Sequence, residues 1–177
     1  MLEQEPVIKI LSLKQMVEDV LKEHHEPTRQ WIERAKVLLR EAAAENIDSP
    51  LINKLGMSFQ SLAMTMHMHM EKEEEVLFPM FQRIEDGLNT EKICGGIENP
   101  IRVMENEHKD LDLHFERIRR ITNNFQKTPE TTPVVNELYE VLKSLESDLK
   151  IHSEKEEREL FPAAVVREKR IVEHRVE

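Results

Sequence analysis

Residues 69–79, HMEKEEEVLFP, recur almost letter for letter as residues 152–162, HSEKEERELFP. In each copy a histidine precedes a glutamate by four residues, Glu73 in the first copy and Glu156 in the second. Residues four apart lie on the same face of an α-helix, so each copy presents an imidazole and a carboxylate together. An internal repeat constrains the fold strongly, because equivalent segments adopt equivalent structures. The chain is therefore predicted to contain two similar helical units.

Two further histidines extend the repeat beyond these segments. The interval from His25 to His69 equals the interval from His108 to His152. One constant offset along the chain therefore relates His25 to His108 and also relates His69 to His152. Each unit thus carries one histidine on a first helix and a His-x-x-x-Glu pair on a second.

This pattern predicts an all-α protein that folds as an up-down-up-down four-helix bundle of two pseudo-repeated helical hairpins. We expect one domain over residues 1–177, with the first hairpin at about 12–87 and the second at about 99–168. Composition agrees, since the chain has only 4 glycines, 34% charged residues and few stretches of alternating polarity. At 177 residues the chain is long enough to bury a substantial core.

The repeated histidines and glutamates fall on the apolar faces of the predicted helices. The face of the second helix is predicted to comprise Leu55, Phe59, Leu62, Met66, His69, Glu73, Val76 and Met80. His25, His108, His152 and Glu156 occupy corresponding positions on the other three helices. His24 is rotated by roughly 100° from His25, which predicts a position at the edge of the face or in solvent. Pro79 is predicted to kink the end of the second helix.

Burying these six polar groups requires a compensating interaction. An unpaired carboxylate in a core costs several kcal/mol, and unpartnered imidazoles add to that cost. A hydrogen-bonded polar core is one solution; a pair of cations is the other and satisfies all six groups at once. Imidazole and carboxylate donors without thiolate suit iron, manganese or zinc. Two histidines and two bridging glutamates per ion would leave a coordination position open for a small ligand.

Charge and cysteine content exclude other functional classes. A net charge of −10 disfavours nucleic-acid binding. No uninterrupted apolar stretch is long enough to span a membrane as a helix. The first ten residues lack the pattern of a signal peptide. The single cysteine, Cys94, cannot form an internal disulfide, which fits a reducing compartment. We therefore expect a cytoplasmic protein.

The chain resembles a known family at the repeated residues. The His and Glu pattern resembles hemerythrin-like HHE domains, which are four-helix bundles with a non-haem di-iron centre. The segments HMEKEEEVLFPMF, CGGIENPIRVMENEHKDL and HSEKEERELFP are similar to the di-iron iron-sulfur cluster repair proteins, over roughly residues 12–165. The resemblance implies two iron ions with an oxo or hydroxo bridge. It also implies the six metal ligands His25, His69, Glu73, His108, His152 and Glu156, with both glutamates bridging.

Two departures from related proteins narrow the expected function. Repair proteins of this family commonly carry a small N-terminal domain with a cysteine pair, whereas this sequence has no cysteine before Cys94, which predicts that the domain is lacking. Oxygen-carrying hemerythrins have a second histidine four residues after the third-helix ligand, where this chain has Asp112. That difference disfavours a pure oxygen carrier.

The resemblance implies iron-sulfur cluster repair or defence against nitrosative or oxidative stress, by iron release or by chemistry on nitric oxide or oxygen. Expected partners are a small diatomic ligand (O2 or NO) or peroxide, together with iron-sulfur proteins and a reductant. An O2, NO or peroxide sensor or carrier without turnover is the alternative, and an NO- or peroxide-reducing activity is a third possibility. The oligomeric state is left open by the sequence.

Overall fold

The computed structural model describes residues 11–45, 49–90, 93 and 95–173. It confirms the predicted all-α four-helix bundle. The α-helices are α1 Leu13–Val20, α2 Glu26–Glu45, α3 Pro50–Lys72, α4 Phe78–Glu85, α5 Glu98–Ile121, α6 Pro133–Lys155 and α7 Phe161–Glu173. The first bundle helix contains α1 and α2, the second α3 and α4, the third α5, and the fourth α6 and α7. Within the described residues, no helix is long and apolar enough to cross a membrane. Cys94 lies outside the described residues.

Local sequence signals set the helix ends. Ser12 and Gln15 form a reciprocal capping box at the start of α1. Ser49 caps α3, whose first residue is a proline. The second bundle helix ends at Gly87, which adopts the left-handed region with φ 76°. The Gly87 N–H donates to the Ile84 carbonyl and the next amide donates to the Arg83 carbonyl, as in a Schellman motif.

Three of the four bundle helices contain a five-residue π-turn, an element that the sequence prediction missed. The π-turns span Leu21–His25, Glu73–Leu77 and Glu156–Leu160. In each, the N–H of the residue that follows donates to the carbonyl five residues earlier. In every case a proline lies two residues after the last residue of the π-turn, at positions 27, 79 and 162. Proline has no backbone N–H, so the α-helical hydrogen bond from an N–H to the carbonyl four residues earlier is already interrupted there. That interruption favours a π-turn.

The π-turn at Glu73–Leu77 corrects one prediction about the second helix. The distortion near Pro79 takes the form of a π-turn ahead of the proline. The extra residue rotates the helix face, so Leu77 is buried with 1% exposure while Val76 is 54% exposed. Val76 was therefore wrongly assigned to the core. The repeat itself contained the signal, because the second hairpin has Glu159 at the position equivalent to Val76 and Leu160 at the position equivalent to Leu77.

Because of this rotation, we expect alanine substitutions at the neighbouring residues Leu77 and Val76 to destabilise the protein to very different extents. Leu77→Ala should lower the free energy of unfolding by about 2–5 kcal/mol, because it opens a cavity in the core. Val76→Ala, at the exposed position, should change it by less than about 0.5 kcal/mol. Urea unfolding of both variants at the same metal loading measures the difference. Equal losses at the two positions would contradict the π-turn.

The apolar core of the described residues is divided into two clusters. The larger core cluster runs from Ile32 and Leu38 on α2 to Leu149 on α6. The smaller core cluster includes Leu13 on α1 and Ala164 on α7. On α5, Met104 belongs to the smaller cluster, Leu111 belongs to the larger, and His108 lies between them. A layer of buried polar side chains thus separates the two clusters.

Candidate metal centre

The polar layer consists of the six side chains that the repeat singled out. Each bundle helix contributes at least one of them, and the first, second and fourth helices do so at a π-turn or at its border. Every one of the six has a side chain that is at most 4% exposed. The six are His25, His69, Glu73, His108, His152 and Glu156.

These residues form two overlapping sets of donor atoms. The first set combines His25 and His152 with both glutamates, and the second combines His69 and His108 with the same glutamates. In each set, one donor atom from every residue lies within 4.8 Å of all the others. Glu73 and Glu156 therefore stand between two candidate ion positions, which we call the His25/His152 position and the His69/His108 position.

The individual distances show how the two glutamates face both positions. Glu73 directs Oε2 to Nε2 of His25 at 3.2 Å and Oε1 to Nε2 of His69 at 3.4 Å. Glu156 directs Oε2 to Nε2 of His108 at 3.2 Å and Oε1 to Nε2 of His152 at 3.1 Å. Each carboxylate consequently presents one oxygen to each position.

Eight donor atoms in this layer are buried without a hydrogen-bond partner among the described residues. They are Nε2 of the four histidines and both carboxylate oxygens of Glu73 and Glu156. A buried polar atom left unsatisfied costs roughly 1–3 kcal/mol. An ion with bonds of about 2 Å keeps its donors within roughly 4 Å of one another, close to the spacing observed. The donor set therefore fits two cations.

Without cations, burial and mutual repulsion oppose the ionisation of the two neighbouring carboxyl groups. Burial, and then the negative charge on Glu156, raise the pKa of Glu73 well above its ordinary value. Burial also opposes ionisation of Glu156, but the charge of His152 and the close approach of His108 together hold its pKa well below the usual range. Burial and mutual repulsion thus disfavour ionisation of both carboxylates at the same time in the metal-free protein. Bound cations would favour ionisation of both.

Carboxylates outside the layer orient three of the four imidazoles. Nδ1 of His25 lies 2.6 Å from Oε1 of Glu74, and Nδ1 of His108 lies 2.8 Å from Oε1 of Glu157. Nδ1 of His69 lies 3.2 Å from Oε2 of Glu107. Such contacts fix the ring orientation and leave Nε2 facing the site. Arg29 donates to Glu74 and Lys72 donates to Glu107, which extends these contacts toward the surface.

His24 is buried, contrary to the prediction of an edge or solvent position. It is 6% exposed and its ring stacks on that of His152, with centroids 5.4 Å apart and planes 7° from parallel. Nδ1 of His24 lies 2.9 Å from Oδ1 of Asp148. Because the π-turn at Leu21–His25 changes the helical rotation, both His24 and His25 face inward. The sequence signal for this turn is Pro27.

Asp112, which replaces a histidine of oxygen carriers, is exposed on α5. It belongs to neither donor set among the described residues.

Burial of His25 predicts a pH dependence for the metal-free protein. Burial first, and then the charge of His152, lower the pKa of His25 from 6.5 to about 4. In the unfolded chain the His25 side chain takes up a proton near pH 6.5, whereas in the folded protein it does so only near pH 4. This histidine therefore destabilises the fold as the pH falls through that window, by about 3 kcal/mol at its lower end.

Comparing wild type with His25→Gln isolates this contribution. The free energy of unfolding should fall more steeply in wild type than in the variant between pH 7 and pH 4, with chelator present throughout. Parallel pH dependences in the two proteins would contradict the low pKa. A histidine NMR titration of the metal-free protein measures that pKa directly.

The chain is similar to one protein family and to several named proteins. A family model described as the Hemerythrin HHE cation binding domain matches residues 16–164. The chain is 32% identical over 162 residues to the iron-sulfur cluster repair protein YtfE of Cronobacter sakazakii, covering 89% of this chain and 68% of that protein. It is 28% identical over 159 residues to the proteins of the same name from Citrobacter koseri and Escherichia coli O1:K1 / APEC. In both cases the match covers 88% of this chain and 68% of the relative.

Proposed function

The chain belongs to the hemerythrin HHE cation-binding family, and on that premise we propose that it is a di-iron protein of iron-sulfur cluster repair and stress defence. The two donor sets that share Glu73 and Glu156 are the main support for two ions. The ligands in this proposal are the four histidines and two glutamates of the polar layer. Similarity to proteins named for iron-sulfur cluster repair supports the biological role.

We assign iron to both positions because imidazole and carboxylate donors without thiolate suit iron, and because the similar proteins are named for iron-sulfur cluster repair. Two bound iron ions would supply one-electron redox chemistry and an open coordination position for a small ligand. Glu73 and Glu156 would hold both ions, since each presents one oxygen to each position, and the outer carboxylates hold the imidazole rings. The two core clusters exclude bulk water from both sides of the layer. Exclusion of water strengthens the interaction between the carboxylates and any bound cation.

The metal content tests the first part of the proposal. Protein purified without oxygen and without added chelator should contain two irons per chain and should show a visible absorption band after oxidation. Two ions of another metal from iron-replete cells would overturn the assignment to iron while leaving the geometry of the site intact. The absence of any bound metal would overturn the whole proposal.

A repair assay tests the second part. An iron-sulfur hydratase inactivated with nitric oxide or peroxide is incubated with the iron-loaded protein and a reductant, and recovery of its activity is followed. Recovery should require the loaded protein, and the Glu73→Ala variant provides the matched control. Iron release would also make the reduced protein lose iron to a chelator faster than the oxidised protein. Reversible binding of nitric oxide or oxygen without recovery would instead indicate the sensor or carrier function.

A further inference from the structure

The repeat allows the surroundings of the two ion positions to be compared residue by residue. The offset that relates His25 to His108 gives every residue of the first hairpin a counterpart in the second. His25 with Glu74 corresponds in this way to His108 with Glu157, and the Nδ1 to Oε1 distances are 2.6 and 2.8 Å. One carboxylate-backed histidine is therefore present at each position. These two contacts are alike.

The remaining histidine of each position breaks the symmetry. His69 has Glu107 against its Nδ1, whereas the counterpart of Glu107 in the first hairpin is His24. His24 stacks on His152 and directs its Nδ1 to Asp148. Within the described residues, the close contacts of His152 with carboxylates all involve its Nε2. The His25/His152 position thus has one carboxylate-backed imidazole, and the His69/His108 position has two.

This difference matters because of what the outer carboxylate does. A carboxylate on the distal nitrogen makes an imidazole a stronger donor, and loss of such a partner typically weakens metal binding about 10–100-fold. Stacking by His24 fixes the plane of the His152 ring, but it contributes no negative charge to that ring. Asp148 does not compensate directly, because its two oxygens face His24 and Thr28, at 2.9 and 3.3 Å.

We propose that the two ion positions bind metal with unequal affinity. His24 occupies the position equivalent to Glu107, and its lack of a carboxylate weakens metal binding at the His25/His152 position. His24 is a positioning residue in this proposal, acting on the ion through His152. The inference rests on the proposed function, since it requires two bound ions. Its consequence is that one ion can be lost or exchanged while the other stays in place.

Stepwise removal of iron tests the inequality. Protein loaded anaerobically with two Fe2+ per chain is equilibrated with increasing concentrations of a chelator, and the iron remaining per chain is measured. Release should occur in two steps separated by about tenfold or more in free metal concentration. Crystals taken between the steps should show the anomalous signal of iron at His69/His108, with the His25/His152 position depleted.

Two variants test whether His24 and Glu107 cause the difference in metal affinity. His24→Glu should strengthen the weaker step by about tenfold, and Glu107→Gln should weaken the stronger step by a similar factor. Asp110→Asn, at an exposed position on α5, is the matched control and should leave both steps unchanged. Either effect is read from metal release and needs no activity assay.

The outcomes separate this inference from the function on which it rests. Release of both irons in one step with equal residual occupancy would overturn the inequality and leave the di-iron proposal standing. Residual iron at His25/His152 would overturn it in the same way. Failure of the protein to take up any metal would overturn both proposals.

Discussion

The Glu73→Ala variant is expected to lose both metal ions. Glu73 presents one oxygen to each ion position, and both donor sets include it. Its removal therefore withdraws a ligand from two ions at once and leaves Glu156 to neutralise them alone. Metal content should fall from two ions per chain toward none, and Glu156→Ala should have the same effect. Removal of a single histidine, as in His69→Ala, affects one donor set and should leave about one ion.

Metal analysis of proteins purified side by side measures these losses. Glu75→Ala is the control, because Glu75 lies two residues away in the same π-turn but is exposed. It should retain both ions. If Glu73→Ala also retained two ions with unchanged affinity, Glu73 would not be a ligand. Circular dichroism would distinguish loss of metal from loss of the helical fold.

Removal of the metal from the wild-type protein is expected to lower its melting temperature by about 15–30 °C. A ligand present at a thousand times its Kd stabilises a fold by about 4 kcal/mol, so two ions contribute about 8 kcal/mol. For a chain of this size each kcal/mol changes the melting temperature by about 2–4 °C. The ions act on a layer whose eight donor atoms otherwise lack partners among the described residues, which is why the dependence should be large.

Thermal unfolding with and without chelator provides the measurement. The Glu73→Ala protein is the matched comparison, since it should melt at the same temperature under both conditions. A wild-type melting temperature that does not respond to chelator would show that the layer is satisfied without metal. That outcome would support the hydrogen-bonded polar core considered from the sequence.

The repeat accounts for how much could be predicted from the sequence. The equal intervals between the histidines identified which of them are equivalent, and helical periodicity placed them on inward faces. The convergence of the six side chains follows from those two facts, because the inward faces of four packed helices meet in one core. Along α5 the regular helical period is kept, and the buried side chains of Ile101, Leu111 and Phe115 follow it.

The errors arose where the helical period changes. A face extrapolated at the regular α-helical period cannot include the extra residue of a π-turn, so Val76 was placed inside and His24 outside. The outer contacts of Glu74, Glu107 and Glu157 were missed for another reason. These contacts depend on which neighbouring helix faces each histidine. All three glutamates lie in glutamate-rich segments, where nothing in the sequence distinguishes them from glutamates that face solvent.

Division of the core into two clusters has a consequence for how the metal-free protein opens. Because apolar packing is interrupted at the layer, the larger and smaller clusters are expected to behave as separate cooperative units once the ions are gone. Amide hydrogen exchange should then be faster around Leu13 and Phe161 than around Leu62 and Leu142. With both ions bound, exchange in the two halves should slow together, because a single set of coordinated side chains then couples their opening.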